Sequence, residues 1–240
     1  MSVVENARAL LKSAKSIAVL TGAGISAESG IPTFRGAAGL WKQFRPEELA
    51  TPEAFARDPQ TVWEWYHWRR KLIAEAKPNA GHLALARLEQ WVPKFTLVTQ
   101  NVDGLHQAAG SKAVLELHGS IWKLRCTQCG HEWFDRDVPE GRQLLYCQCG
   151  GMARPAVVWF GEGLPPDVWR WAEQAVGSCD LLLVIGTSAV VYPAAGLVPL
   201  ARSFGVKIIE INLEASPISS SVHAQLTGRA GEILPELVQE

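Results

Sequence analysis

The chain has 240 residues, enough for one large domain with a smaller insertion. Its net charge is −1 and no basic stripe runs along it, which excludes nucleic-acid binding by phosphate neutralisation as an expected function. No apolar run reaches the length of a membrane span. The opening Met1-Ser2-Val3-Val4-Glu5 lacks the basic and apolar regions of a secretory signal, so a cytoplasmic protein is expected.

Val3 to Ala14 predicts an amphipathic helix. Ile17-Ala18-Val19-Leu20 predicts a buried strand that runs straight into Thr21-Gly22-Ala23-Gly24-Ile25-Ser26. Glycines there let the backbone approach a diphosphate, and the N–H groups beyond them can point at it. The run is not the usual Gly-x-Gly-x-x-Gly fingerprint, because Ser26 follows and the next glycine is Gly30. Residues 36–81 interrupt the strand–helix rhythm with Pro46, Pro52, Pro59 and Pro78, and carry one strong helix, Thr61 to Lys77. Asn79 caps a further helix ending at Trp91. Seven of the ten tryptophans lie between Trp41 and Trp133, which fits large apolar packing around a smaller, less regular module.

Four further strands are predicted, each ending in a polar cluster. Phe95–Thr99 ends in Gln100-Asn101-Val102-Asp103, and Val114–Leu117 in His118-Gly119-Ser120. Leu181–Ile185 ends in Gly186-Thr187-Ser188, and Lys207–Ile211 in Asn212-Leu213-Glu214. Open parallel sheets bind ligands at the carboxyl ends of their strands, so five clusters at one edge predict a shared site. Val157 to Gly161 reads as an exposed edge strand, with an ordinary core strand as the alternative. Helices are expected over 165–176, 193–204 and 231–238, the last despite Pro235.

Cys126-Thr127-Gln128-Cys129 and Cys147-Gln148-Cys149 lie in a module of short strands, Ile121 to Pro155. Clustered thiols in a chain without an export signal predict a metal rather than disulfides. A site of four thiolates has no open position, so one structural Zn²⁺ is expected on Cys126, Cys129, Cys147 and Cys149. The second pair is one residue shorter than the usual ribbon spacing. His131 reads as a surface residue and Cys179 as an inert core thiol.

On the helix from Thr61, the residues Val62, Trp65, Tyr66, Leu72, Ile73 and Ala76 form an apolar stripe with Arg69 at its centre. Arg70 and Lys71 point elsewhere and read as solvated charge. A guanidinium in an apolar arc is costly unless an anion or several acceptors meet it. Tyr66 and Arg69 share a face and could together hold a carboxylate. An internal salt bridge from Arg69 is the alternative.

Taken together, Gly22-Ala23-Gly24-Ile25-Ser26 through Ile31-Pro32-Thr33-Phe34-Arg35, Thr99-Gln100-Asn101-Val102-Asp103, His118-Gly119, the thiol pairs, Phe160-Gly161-Glu162, Gly186-Thr187-Ser188 and Asn212 resemble the sirtuins, NAD-dependent protein-lysine deacylases. Their order and spacing hold across nearly the whole chain. The resemblance implies an α/β fold. A Rossmann-like sheet domain would comprise 1–39, 82–120 and 157–240. A small domain would combine a helical insertion, 40–81, with the zinc module, 121–156, over the sheet's carboxyl edge.

The resemblance also implies a reaction. Nicotinamide leaves NAD, the acyl-lysine oxygen attacks the ribose, a histidine removes a relayed proton, and lysine and 2′-O-acyl-ADP-ribose are released. His118 matches that histidine. Asn101 and Asp103 match the nicotinamide pocket, with Gln100 on a ribose. Gly22, Ala23, Gly24, Thr33, Phe34 and Arg35 match the cofactor loop, with Phe34 shielding the reacting ribose and Arg35 ordering the loop. Gly186, Thr187 and Ser188 match the phosphate and ribose contacts, Asn212 the adenosine ribose, and Arg229 and Ala230 the adenine. Glu28 reads as a surface or helix-start residue. Val158 and Phe160 would flank an acyl-lysine peptide paired beside 157–161. Tyr66-x-x-Arg69, Thr33 and the small Ala50 resemble the subgroup, bacterial, archaeal and mitochondrial, that removes succinyl and malonyl groups. The expected partners are acylated lysines of proteins, acted on by a monomer, with no nucleic acid and no membrane. Other expectations are mono-ADP-ribosyl transfer from the same site, a non-catalytic module for NAD or ADP-ribose, and a zinc-ribbon interaction protein.

Overall fold

The computed structural model describes residues 2–34, 39–40 and 45–239. Its frame is a six-stranded parallel sheet of β1 (Ser16–Thr21), β2 (Lys94–Thr99), β3 (Val114–Glu116), β7 (Leu181–Ile185), β8 (Lys207–Asn212) and β9 (Ala224–Thr227). The strand order is β3-β2-β1-β7-β8-β9. The central strands are buried on both faces and are continuous apolar runs, as parallel strands covered by helices must be. Register is exact across the centre, Ile17 facing Phe95 on one side and Leu181 on the other. The four residues of β9 form a strand that the sequence pattern did not predict.

One face packs on α1 (Val3–Ser13), α5 (Ala80–Trp91) and α9 (Ala230–Leu237), with Ile17, Val19, Leu85, Leu183 and Leu234 in the shared core. The other face packs on α7 (Pro166–Ser178) and α8 (Leu197–Ser203), around Leu20, Val98, Leu182 and Ile208. The predicted helix over 193–204 is shorter as a true α-helix, because residues 194–196 wind as a 3₁₀ turn. Asn79 caps α5, its side chain accepting the N–H of Gly81 and His82. Glu28 lies near the end of the 3₁₀ turn Ala23–Ser29 rather than at its start, and its carboxylate accepts the N–H of Gly231 in the first turn of α9 at 2.7 Å.

A third core joins the two insertions. The helices α2 (Pro46–Leu49), α3 (Pro52–Arg57) and α4 (Pro59–Glu75) pack on a three-stranded antiparallel sheet in the order β5-β4-β6, made of β4 (Gly119–Cys126), β5 (Glu132–Phe134) and β6 (Ala153–Val157). Trp63, Trp65, Tyr66, Ile121, Trp122 and Trp159 fill it, together with Val102 and Leu105 from the segment after β2. α6 (Leu105–Ala108) completes that segment.

Two expectations are corrected here. Arg70 is not solvated charge: it is wholly buried, pairs with Asp135 at 2.8 Å and lies over the Trp122 ring. The zinc module covers the helix face that periodicity assigned to water. Residues 157–161 are not an exposed strand. β6 ends at Val157, and beyond it the N–H of Val158 donates to the His118 carbonyl and that of Phe160 to the Ala50 carbonyl. The ladder stops because the chain turns back to satisfy two different elements.

Candidate active site at the carboxyl edge of the sheet

The loops after β1 and β7 meet closely. The N–H of Gly24 donates to the Gly186 carbonyl at 2.8 Å. A Cβ on Gly24 would stand 2.7 Å from that carbonyl oxygen, and one on Gly186, whose φ is +58°, 2.4 Å from the Ile25 nitrogen. Neither position admits a side chain. Beside this contact lies a cleft of about 350 Å³, walled by Gly24, Ala27, Glu28, Gly186, Asn212, Gly228, Arg229 and Ala230. Three predicted strand-end clusters, those after β1, β7 and β8, therefore converge, and Arg229 and Ala230 stand with them. The Asn212 side chain donates to the Thr187 carbonyl at 2.9 Å, tying two clusters together. Ser188 is exposed beside them.

Deeper in, a buried polar network extends from the same loops. The Ser26 hydroxyl donates to Asp103 at 2.8 Å, and the Asn101 amide donates to Ser26 at 3.2 Å and to the Gly22 carbonyl at 3.1 Å. Burial pushes the Asp103 carboxyl up, opposed by the Leu105 N–H and the Ser26 hydroxyl. The Gln100 amide donates to the Thr187 hydroxyl at 3.0 Å. Ser26 stood in the glycine run but had no role assigned from sequence. Its position between Asn101 and Asp103 follows from strand adjacency, which the linear chain does not display.

Behind this network sit His82 and His106, both wholly buried, with ring centroids 4.9 Å apart. His106 Nε2 meets the Thr21 hydroxyl at 3.0 Å. Burial depresses His82 to about 4 and His106 to about 3, the latter helped by the neighbouring imidazole. Below the ordinary histidine value of 6.5 the unfolded chain takes protons that the folded chain refuses. Stability is therefore full above that value and falls as the pH drops toward 4. For His82 the loss is on the order of 3 kcal/mol. Melting temperatures from pH 7.5 to 4 should fall steeply for the native chain and less steeply for His82→Asn; parallel curves would contradict this.

His118 follows β3 and is half-buried. Its Nδ1 lies 3.0 Å from the Gln100 carbonyl oxygen. A carbonyl only accepts, so Nδ1 carries the hydrogen and Nε2 of the neutral ring holds a lone pair. Burial lowers its pKa, partly offset by the Gln100 bond. The His118 carbonyl accepts the Val158 N–H at 2.9 Å. The Phe160–Ala50 bond, also 2.9 Å, closes the far side of that turn, with Phe160 exposed and Ala50 buried.

Tyr66 and Arg69 line the neighbouring third core, 1% and 6% exposed. The Arg69 guanidinium lies 4.9 Å from the ring centroids of Phe34 and Trp65 and 5.9 Å from that of Tyr66. Arg69 makes no salt bridge among the described residues. Phe34 thus joins the loop after β1 to this pair. The Thr33 carbonyl accepts the Leu40 N–H at 2.9 Å. Arg35 lies outside the described residues.

The four thiols form a cluster whose sulfurs all lie within 4.8 Å of one another. Cys126 and Cys149 Sγ are 3.5 Å apart, and Cys129 and Cys147 Sγ 3.8 Å. A tetrahedron with ~2.3 Å metal–sulfur bonds has edges of about 3.8 Å, so the donor set fits one zinc despite the shortened pair. Cys126 Sγ also accepts the N–H of Gln128 and Cys129, as a thiolate does. Cys179 is buried in the sheet core as expected.

This parallel sheet, with a glycine-walled cleft at its carboxyl edge and a separate thiolate module, defines a nucleotide-dependent enzyme of the Rossmann-like class. Residues 22–193 match the Sir2 family. The chain is 54% identical over 236 residues to NAD-dependent protein deacylase 2 of Pyrobaculum aerophilum, covering 98% of this chain and 94% of that one. A solved Sir2 homologue in complex with NAD is 48% identical, with a TM-score of 0.92 over 98% of this chain and 92% of the other. A substituted Sir2 homologue in complex with 2′-O-acetyl ADP ribose is 48% identical, with a TM-score of 0.93 over 99% and 95%. The chain belongs to the Sir2 family, the sirtuins.

Proposed function

We propose that this chain is an NAD-dependent protein-lysine deacylase that prefers acyl groups ending in a carboxylate, succinyl and malonyl, and retains some deacetylation. Family membership and the deacylase relative support the reaction class. The buried Arg69, walled by aromatic rings and in no salt bridge among the described residues, though it feels the Asp103 charge, carries the acyl preference. A buried guanidinium gains most from an anion that arrives with the substrate. Ala50, with a single methyl on this wall, leaves room for the longer acyl chain.

The residues at the sheet edge fit NAD. Backbone approaches too close for a Cβ at Gly24 and Gly186, and the cleft beside them, suit a diphosphate and an adenosine. Gly22, Ala23, Gly24, Thr33, Phe34 and Arg35 would hold it on one side, and Gly186, Thr187, Ser188, Asn212, Arg229 and Ala230 on the other. Asn101 and Asp103 would read the nicotinamide amide, with Gln100 on a ribose. Bound NAD supplies an electrophilic ribose carbon once nicotinamide departs. His118 then serves as the base: Gln100 fixes its tautomer, and Nε2 accepts the proton during acyl transfer. Val158 and Phe160 hold the turn against which an acyl-lysine would lie. Cytoplasmic location belongs to the same reading, which four cysteines grouped for a metal rather than paired in disulfides fit.

Arg69→Met tests the acyl preference. It should lower kcat/KM on succinyl-lysine peptides by about 10²-fold, the loss of a charged hydrogen-bonded contact, with a far smaller change on acetyl-lysine. Product masses by mass spectrometry separate deacylation from ADP-ribosyl transfer in the same incubation. Equal loss on both substrates, or a native enzyme faster on acetyl-lysine, would show that Arg69 is structural.

A further inference from the structure

The Trp159 indole N–H donates to the Tyr66 hydroxyl at 2.7 Å across 93 residues of sequence, and both side chains are buried. An indole nitrogen can only donate, whereas a phenol has one proton and two lone pairs. Trp159 therefore occupies a lone pair of Tyr66 and leaves its proton uncommitted. No other hydrogen bond reaches the Tyr66 hydroxyl among the described residues. We infer that Trp159 is a positioning residue for the acyl terminus: its indole N–H fixes Tyr66 as a donor toward a carboxylate that Arg69 holds. This rests on the acyl preference proposed above.

The indole is itself fixed at both ends. The Arg154 guanidinium lies 3.3 Å from the centroid of its ring. Arg154 makes a two-pronged bond to Glu162, at 2.6 and 2.9 Å. The same Glu162 carboxylate accepts the Trp159 backbone N–H at 2.8 Å. A cation on the face of an indole draws electron density from the ring and strengthens its N–H as a donor. Burial also keeps the Tyr66 phenol protonated, so it has a hydrogen to give. An acetyl group ends in a methyl and offers that hydrogen nothing; a succinyl group ends in two acceptor oxygens. The arrangement should therefore act on the choice between acyl groups more than on turnover itself.

A double-mutant cycle tests this with Trp159→Phe, Tyr66→Phe and the pair, assayed on succinyl- and acetyl-lysine peptides. Trp159→Phe keeps an aromatic ring and removes the N–H. It should lower succinyl kcat/KM by about tenfold, mainly through KM, and lower the succinyl-to-acetyl ratio with it. In the Tyr66→Phe background the same change should add less than about twofold, because the partner is already gone. Trp159→His, which retains an N–H donor, should restore part of the ratio. Equal losses on both substrates, or additive effects of the two substitutions, would overturn the role of Trp159 while leaving the acyl preference intact. A native enzyme faster on acetyl-lysine would remove that preference, and this inference with it.

Discussion

His118→Ala leaves a folded chain that still binds NAD, and lowers deacylation by about 10²–10⁴-fold, the usual contribution of a positioned general base. The fold survives because, among the described residues, the imidazole makes one hydrogen bond, to the Gln100 carbonyl, and such a bond contributes only ~1 kcal/mol net. The rate does not survive, because the bond that holds Nδ1–H is what leaves Nε2 free to take a proton. In the native enzyme, burial keeps the ring neutral to lower pH than an exposed histidine. A base works when deprotonated, so kcat/KM should fall on the acid side with an inflection below the ordinary 6.5, and stay level above it. Single-turnover product formation across pH, with thermal melts of the variant, reads both effects. Native turnover in His118→Ala would refute the assignment.

The second large effect comes from residues far from the reaction. Cys126→Ser, or stripping with a chelator, should take bound zinc from one per chain to none and unfold β4, β5 and β6. Structural zinc contributes ~10–16 kcal/mol of apparent binding energy, as much as the whole stability of an ordinary domain. Deacylation should be lost although no cysteine touches the reacting groups. The link is mechanical: β4 begins at Gly119, the neighbour of His118, and Gly119 pairs with Val157 of β6. When that sheet melts, the Val158–His118 bond goes with it. The Asn212 end of the cleft rests on β7 and β8 and should still bind ADP-ribose. Metal analysis and amide hydrogen exchange follow the two parts separately. A zinc-free, fully active preparation would contradict the argument.

The main sheet was legible because buried parallel strands are unbroken apolar runs. Val19, Leu97, Leu183 and Ile209 announce themselves without reference to anything distant. The clusters beyond those runs were legible for the same reason, since each strand end marks its own polar residues. What the chain concealed depends on partners far along it. Arg70 looks solvated on its helix because nothing local says that Asp135 and Trp122 will cover it. Val158-Trp159-Phe160 looks like a strand because it is apolar, yet its N–H groups go to the His118 carbonyl, the Glu162 carboxylate and the Ala50 carbonyl, three unrelated partners. His82 and His106 carried no assignment in the sequence, and it is the packing of α5 against α6 that buries them.

The place of β1 in the sheet has a consequence for how the chain is made. Its first residue is joined through backbone N–H to the Asp180 carboxylate, 164 residues later, just before β7. A ribosome adds ~5–20 residues per second, so the Ile17–Thr21 edge waits on the order of ten seconds or longer for its second neighbour. In that interval β2 and β3 can pair and the thiolate module can close, since their contacts are nearer in sequence. The open flank of β1 is a bare row of N–H and C=O groups beside an apolar run, the form of surface that self-associates. Assembly of this sheet is therefore paced by its most distant strand pairing, and a nascent chain released before residue 181 carries an unprotected seam through the middle of its sheet.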